Sequence, residues 1–176
     1  MRVEFFIPNW LKKRQLLYVT SHMFIIPLVD LFASGIDWKL SGAGFHNGLI
    51  WFFVVSYFNG IVLEFGRKIK PPEHEEVGVV SYTSLFGLKG GVFAWLLMVF
   101  ITLLSAICAA LYAGFDFVFI VPFLILFIVC TIPAALFLTS PSLKRAKGIE
   151  LAAGIWTALM YLNLGAAPMI FQWFNS

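Results

Sequence analysis

Residues 59–87 read NGIVLEFGRKIKPPEHEEVGVVSYTSLFG. The stretch begins inside an apolar run, leaves it at Glu64, and gathers Arg67, Lys68, Lys70, Glu73, His74, Glu75 and Glu76 into one short loop. Outside it the chain is overwhelmingly apolar. Of its 176 residues 61% are hydrophobic and 12% charged, with a mean hydropathy of +0.92. Soluble domains carry about 25% charged and about 45–50% apolar residues. The imbalance reads as an integral membrane protein, and it makes residues 59–87 the place where chemistry is to be sought.

Crossing a bilayer core takes about 20 helical residues, and only helices or closed barrels pair every backbone group internally in lipid. Five runs qualify, at approximately 15–33, 45–65, 91–112, 117–138 and 149–171. None alternates polar with apolar as a barrel strand would. The expected architecture is all-α: one membrane domain over residues 1–176, a bundle of five transmembrane helices with a motif loop at 66–90.

Eleven of the twelve basic residues fall on one side of these spans: Arg2, Lys12, Lys13, Arg14, Arg67, Lys68, Lys70, Lys89, Lys144, Arg145 and Lys147. The other side has Lys39. By the positive-inside rule the N-terminus, the motif loop and the 140–148 loop face the cytoplasm and the C-terminus faces outward. In a bacterium the host would be the cytoplasmic membrane. Basic residues scattered in short clusters between apolar runs are no nucleic-acid signal.

The start, MRVEFFIPNWLKKRQLLYVTSHMF, makes a poor secretory signal, because the charges follow an apolar segment and the next run holds His22 and Asp30. Cys108 and Cys130 are isolated in apolar runs without CxxC spacing, and read as packing residues. Pro27, Pro122, Pro133 and Pro168 interrupt the spans, which membrane helices tolerate. Gly48 and Gly60, or Gly154 beside Ala153 and Ala158, are candidates for close helix approach. The segment 79–87 reads as a short interfacial helix lidding the loop.

Glu64 closes the second span, and a step of three or four residues puts Arg67 and Lys68 on its face. Pro71-Pro72 bars further helix. PEHEE then supplies Glu73, His74, Glu75 and Glu76. Mg²⁺ is commonly held by one or two carboxylates completed by substrate phosphates, and Arg67 and Lys68 suit the same diphosphate, one as a planar fork and one as a point charge. Zinc fits less well: His74 is the loop's sole imidazole and no cysteine is near. The plainer alternative for each part is a surface ion pair and a solvated acidic loop.

Tyr18, His22 and Asp30 share one face of the first span, at spacings of four and eight. An acid inside a span is a functional hypothesis by default, so His22 and Asp30 are candidate substrate-facing residues. Ser56 and Asn59 lie one to two turns before Glu64 and line the same side, or form an interhelical hydrogen bond.

The 59–87 stretch resembles the second polar motif of UbiA-type intramembrane prenyltransferases. Members of that family have nine membrane helices and two aspartate-rich motifs, on cytoplasmic loops after the second and sixth helices. Their second motif ends an apolar helix with an acid and closes in a G-[IV]-x-[ST]-x-x-x-[LI]-[FL]-G pattern. Residues 78–87, GVVSYTSLFG, match that closing pattern. A branch with LEIGRKIRAPEDEE-like loops looks especially similar, with glutamates for aspartates and a longer, proline-containing loop. Five helices with the motif after the second correspond to the back half of such a fold. The first aspartate-rich motif has no counterpart, and residues 1–14 read like an interhelical loop.

The resemblance implies Mg²⁺-dependent transfer of a prenyl group from a prenyl diphosphate to an aromatic or lipid acceptor. It implies Glu64, Arg67 and Lys68 as catalytic residues, Glu64, Glu73, Glu75 and Glu76 as metal ligands, and Asn59, Lys70, His22 and Asp30 as substrate-binding residues. A missing N-terminal half or a second chain would complete the site. The alternative is a non-catalytic binding or transport subunit that keeps a lipid-diphosphate cleft. An ion transporter would need acids deep in several spans, and Asp30 alone approaches that.

Overall fold

The computed structural model describes residues 14–42, 44–75, 80–115, 117–166 and 173. All regular structure among them is helical: α1 (Gln15–Met23), α2 (Ile25–Ser41), α3 (Leu49–Arg67), α4 (Tyr82–Tyr112), α5 (Val121–Thr139) and α6 (Leu143–Tyr161). One-turn 3₁₀ segments at Pro72–His74 and Phe117–Phe119 and a π turn at Leu162–Ala166 complete it. With α1 and α2 taken as one span, five of these helical runs are long and apolar enough to cross a membrane. The chain is an all-helical integral membrane protein.

Local chemistry explains the breaks. Pro27 lacks the N–H that would reach back to the Met23 carbonyl, and α1 ends at Met23. Gly42 closes α2 in the left-handed region at φ 70°. Pro71 and Pro72 bar continuation of α3 beyond the Arg67–Lys68 turn. Ser81 caps α4 by accepting from the Ser84 N–H at 2.9 Å, and Ser142 caps α6 through the Arg145 N–H. Gly87, at φ 73° and ψ 166°, departs from helical geometry inside α4 and sets the segment Tyr82–Phe86 apart from the long helix. Of the helix expected over 79–87, the described part is helical from Tyr82 to Phe86, and residue 79 lies outside the described residues.

The first, third and fifth helical runs extend beyond the apolar runs of the sequence. The first reaches Ser41, the third begins at Tyr82, and the last begins at Leu143 and is described to Ala166. In each case the added turns are polar or glycine-containing, which hydropathy does not report.

Helix α3 is the centre of the bundle and packs against α4, α6, α2 and α1. Half of its most apolar window is buried, against 6% for the first span. The core holds Val55, Val62, Trp95, Val99, Phe123, Phe137, Ile149, Trp156 and Met160. Two glycines let α3 sit there. A Cβ on Gly66 would stand 2.7 Å from that of Ala153 on α6, and one on Gly60 would meet Ile26 and Met23 of the first span. Gly154, a candidate for the same role, faces open space, and its neighbour Ala153 makes the contact. Beside Gly66 the Trp95 indole donates to the Val62 carbonyl at 3.1 Å, which ties α4 to α3.

Alternation of the spans brings Arg14, residues 67–75 and 80–82 and the 139–143 turn to one end of the bundle. Lys68 over the Tyr18 ring joins the first two of these. The opposite end is tied by the His46–Tyr112 ring contact and by the Asn163 amide donating to the Phe119 carbonyl.

Candidate functional site

The basic end of α3 carries the best-defined charged constellation. Glu64 is buried, at 7% exposure, and its two oxygens go to two cations: Oε2 to Arg67 at 2.5 Å and Oε1 to Lys68 Nζ at 2.7 Å. The i,i+3 and i,i+4 spacing on one helix makes this possible. The two cations differ. The Arg67 side chain is 64% exposed, whereas that of Lys68 is 21% exposed. The Lys68 ammonium lies 6.0 Å from the ring centres of both Tyr18 and Tyr82, within the range of a cation–π attraction. Tyr82 in turn stacks on Phe65 with centroids 3.8 Å apart. Its hydroxyl is buried without a hydrogen-bond partner among the described residues.

The loop is held back onto this end by a second set of bonds. The Tyr82 N–H donates to the Lys68 carbonyl at 3.2 Å. The Thr83 hydroxyl donates to the Lys70 carbonyl at 2.7 Å, and the Lys70 N–H reaches Thr83 Oγ1 at 3.3 Å. The Ser81 hydroxyl donates to Glu75 Oε1 at 2.9 Å. Gly91 permits the return: a Cβ there would press within 3.0–3.1 Å of the Tyr82 and Thr83 backbone. Glu75 therefore acts on the start of α4, where a carboxylate also favours the helix dipole.

Glu64, Arg67 and Lys68 thus form one cluster, flanked by Tyr18 and Tyr82. Glu73 is exposed on the 3₁₀ turn, and Glu75 is engaged by Ser81. Glu76 lies outside the described residues. No group of three His, Cys, Asp or Glu side chains gathers as a metal centre among the described residues. Lys70 is half-buried, with its backbone bound to Thr83. His22 is exposed and stacks on Tyr18 with ring centres 5.6 Å apart.

Asn59 and Asp30 belong to a second cluster inside the bundle. The Tyr161 hydroxyl of α6 donates to Ser56 Oγ at 3.1 Å. Asn59 lies one turn from Ser56 on α3, and Asp30 lies one turn from Ile26, the residue that Gly60 of α3 admits, so both belong to the same side of the α2–α3 contact. Asn59 is 1% exposed. Both its amide atoms, and Oδ2 of Asp30, lack a hydrogen bond among the described residues. Tyr82 and Tyr161 were not among the candidates read from the sequence. Tyr82 is signalled by its place in the Ser81–Ser84 capping segment, while Tyr161, 105 residues from Ser56, carries no local signal.

Compared with protein-family models, curated proteins and solved structures, the chain matches none.

Proposed function

We propose that this chain contributes the cationic half of a prenyl-diphosphate site in UbiA-like prenyl transfer, at the cytoplasmic end of an integral membrane bundle. The observation that carries this reading is the pairing of Arg67 and Lys68 on the buried Glu64 carboxylate. Beside that pair lies Tyr82, whose hydroxyl is without a hydrogen bond among the described residues. Two cations and a donor at the end of an apolar bundle match a molecule with an anionic head and a lipid tail. The skew of basic residues toward this end supports its cytoplasmic placement.

In this reading the C–O bond between the prenyl carbon and diphosphate breaks with its electron pair passing to the leaving oxygen. Arg67 and Lys68 offset the charge that develops there, and the allylic cation is captured by an aromatic or lipid acceptor held among the spans. Glu64 holds both cations in register, and the Tyr18 and Tyr82 rings restrict Lys68. The described residues do not by themselves fit Mg²⁺. Glu64 spends both oxygens on cations, Glu75 is bound to Ser81, and no carboxylate group gathers. The carboxylates left for Mg²⁺ are Glu73, exposed on the 3₁₀ turn, and Glu76, outside the described residues, and a partner chain or a further segment would complete the set.

A second reading, a binding or transport subunit without catalysis, is favoured by that same lack of assembled carboxylates. Mg²⁺-dependent transfer of a labelled prenyl group in membranes containing the chain separates the two. Transfer that falls by about 10²-fold in Glu64→Gln supports the catalytic site, a loss of the size seen when one charge-stabilising group is removed. Transfer unchanged by Glu64→Gln refutes the role of Glu64.

A further inference from the structure

The interior cluster of Asp30, Ser56, Asn59 and Tyr161 is separate from the charged end of α3. At 1.5 Å per residue, Ser56 lies about 18 Å along α3 from Lys68, and Asp30 about 16 Å from the end of α2 at Ser41. Both depths fall well inside an apolar bundle of bilayer thickness. Asp30 takes part in no ion pair among the described residues, where Glu64 alone is paired with cations. A carboxylate at this depth without a counter-charge is costly, and so is an amide with both ends unpartnered.

The oxygen inventory says what would complete the site. Asp30 offers a carboxylate, Asn59 an amide oxygen, and Ser56 and Tyr161 hydroxyl oxygens. Asn59 Oδ1 takes no hydrogen bond from the described residues and is available as a ligand. All these ligands are hard oxygens, and such oxygens select hard cations over soft ones. With a single carboxylate, one positive charge balances the site and two do not. Mg²⁺ also demands octahedral geometry and gives up water reluctantly.

We propose that Asp30, Asn59, Ser56 and Tyr161 form an intramembrane binding site for a monovalent hard cation such as Na⁺. The site neutralises the one acid deep in the first span and locks that span, itself little buried, onto α3 and α6. It stands independently of the prenyl-diphosphate reading.

The test is equilibrium binding of ²²Na⁺ to the full chain purified in detergent, with choline chloride holding ionic strength. Wild type is expected to bind saturably, at about one ion per chain, and Asp30→Asn to weaken binding about tenfold or more. Glu64→Gln, outside the cluster, is expected to keep wild-type binding. Wild type that binds no ²²Na⁺ above the choline background overturns the site, and a cluster filled by water alone gives that result. Binding retained in Asp30→Asn overturns it equally. Should Asp30→Asn fail to fold, Ser56→Ala serves in its place: weakened binding supports the site, and unchanged binding overturns it.

Discussion

Helix α3 carries two polar clusters of opposite character. At its end, Glu64 is buried with each oxygen on a cation, and the neighbouring loop is bonded back at Lys68, Lys70, Ser81 and Thr83. Over a turn earlier, Asn59 is more deeply buried yet its side chain has no hydrogen bond among the described residues, and Asp30 across from it has no counter-charge among them. The first cluster stabilises what it touches. The second is incomplete, so its residues contribute little to stability until something binds. Burial alone would have ranked the two the other way round.

The largest effect is expected at the satisfied end. Replacing Arg67 and Lys68 together by Met leaves Glu64 as a buried charge without compensation, and costs about 3–5 kcal/mol. Arg67→Met alone, which removes an exposed side chain and leaves Lys68 on Glu64, costs about 1 kcal/mol or less. Thermal inactivation of the detergent-purified variants reads both values. Adding Glu64→Gln to the double variant is expected to restore most of the loss. If the double variant matches wild type, the Glu64 cluster is not a structural unit.

A smaller effect sharpens the role of the loop. Ser81→Ala removes both the α4 cap and the bond to Glu75, and costs about 1 kcal/mol, measured by the same inactivation midpoint. Cleavage at Glu73 by a glutamate-specific protease is expected to rise with it, because the loop loses one of its ties to α4. Opposite in sign, Asn59→Leu measured in choline is expected to raise stability by up to about 1 kcal/mol, because it removes a buried amide that has no hydrogen bond among the described residues. A loss near that of the Arg67/Lys68 double variant would show that Asn59 is fully bonded, and the contrast would fail.

The sequence shows the helical class and the second and fourth apolar runs to within a few residues, because their hydropathy is uninterrupted. It understates the first, third and fifth for one physical reason. The turns at Asp37–Ser41, Tyr82–Gly90 and Leu143–Lys147 are helical but polar or glycine-bearing, so they extend a helix without extending its apolar stretch. At the site, the Glu64–Arg67–Lys68 pairing is legible because helical spacing fixes it locally. The rings of Tyr18 and Tyr82 around Lys68 are not, and neither is Tyr161 against Ser56. Those contacts depend on how α1, α4 and α6 dock on α3, and Gly60, Gly66 and Gly91 set the docking distances. The three acids near Glu73 looked equivalent as sequence. Of the two described, Glu73 points to the surface and Glu75 serves the start of α4.

The central claim is that the Arg67–Lys68 end of α3 receives an anionic lipid-tailed diphosphate. Equilibrium binding of a radiolabelled prenyl diphosphate to the purified chain tests it most directly, with Lys68→Met and Asn59→Leu as paired variants. Saturable binding that weakens about tenfold or more in Lys68→Met and is unchanged in Asn59→Leu is the predicted result. Binding that is absent from the wild type, or indifferent to Lys68, would contradict it.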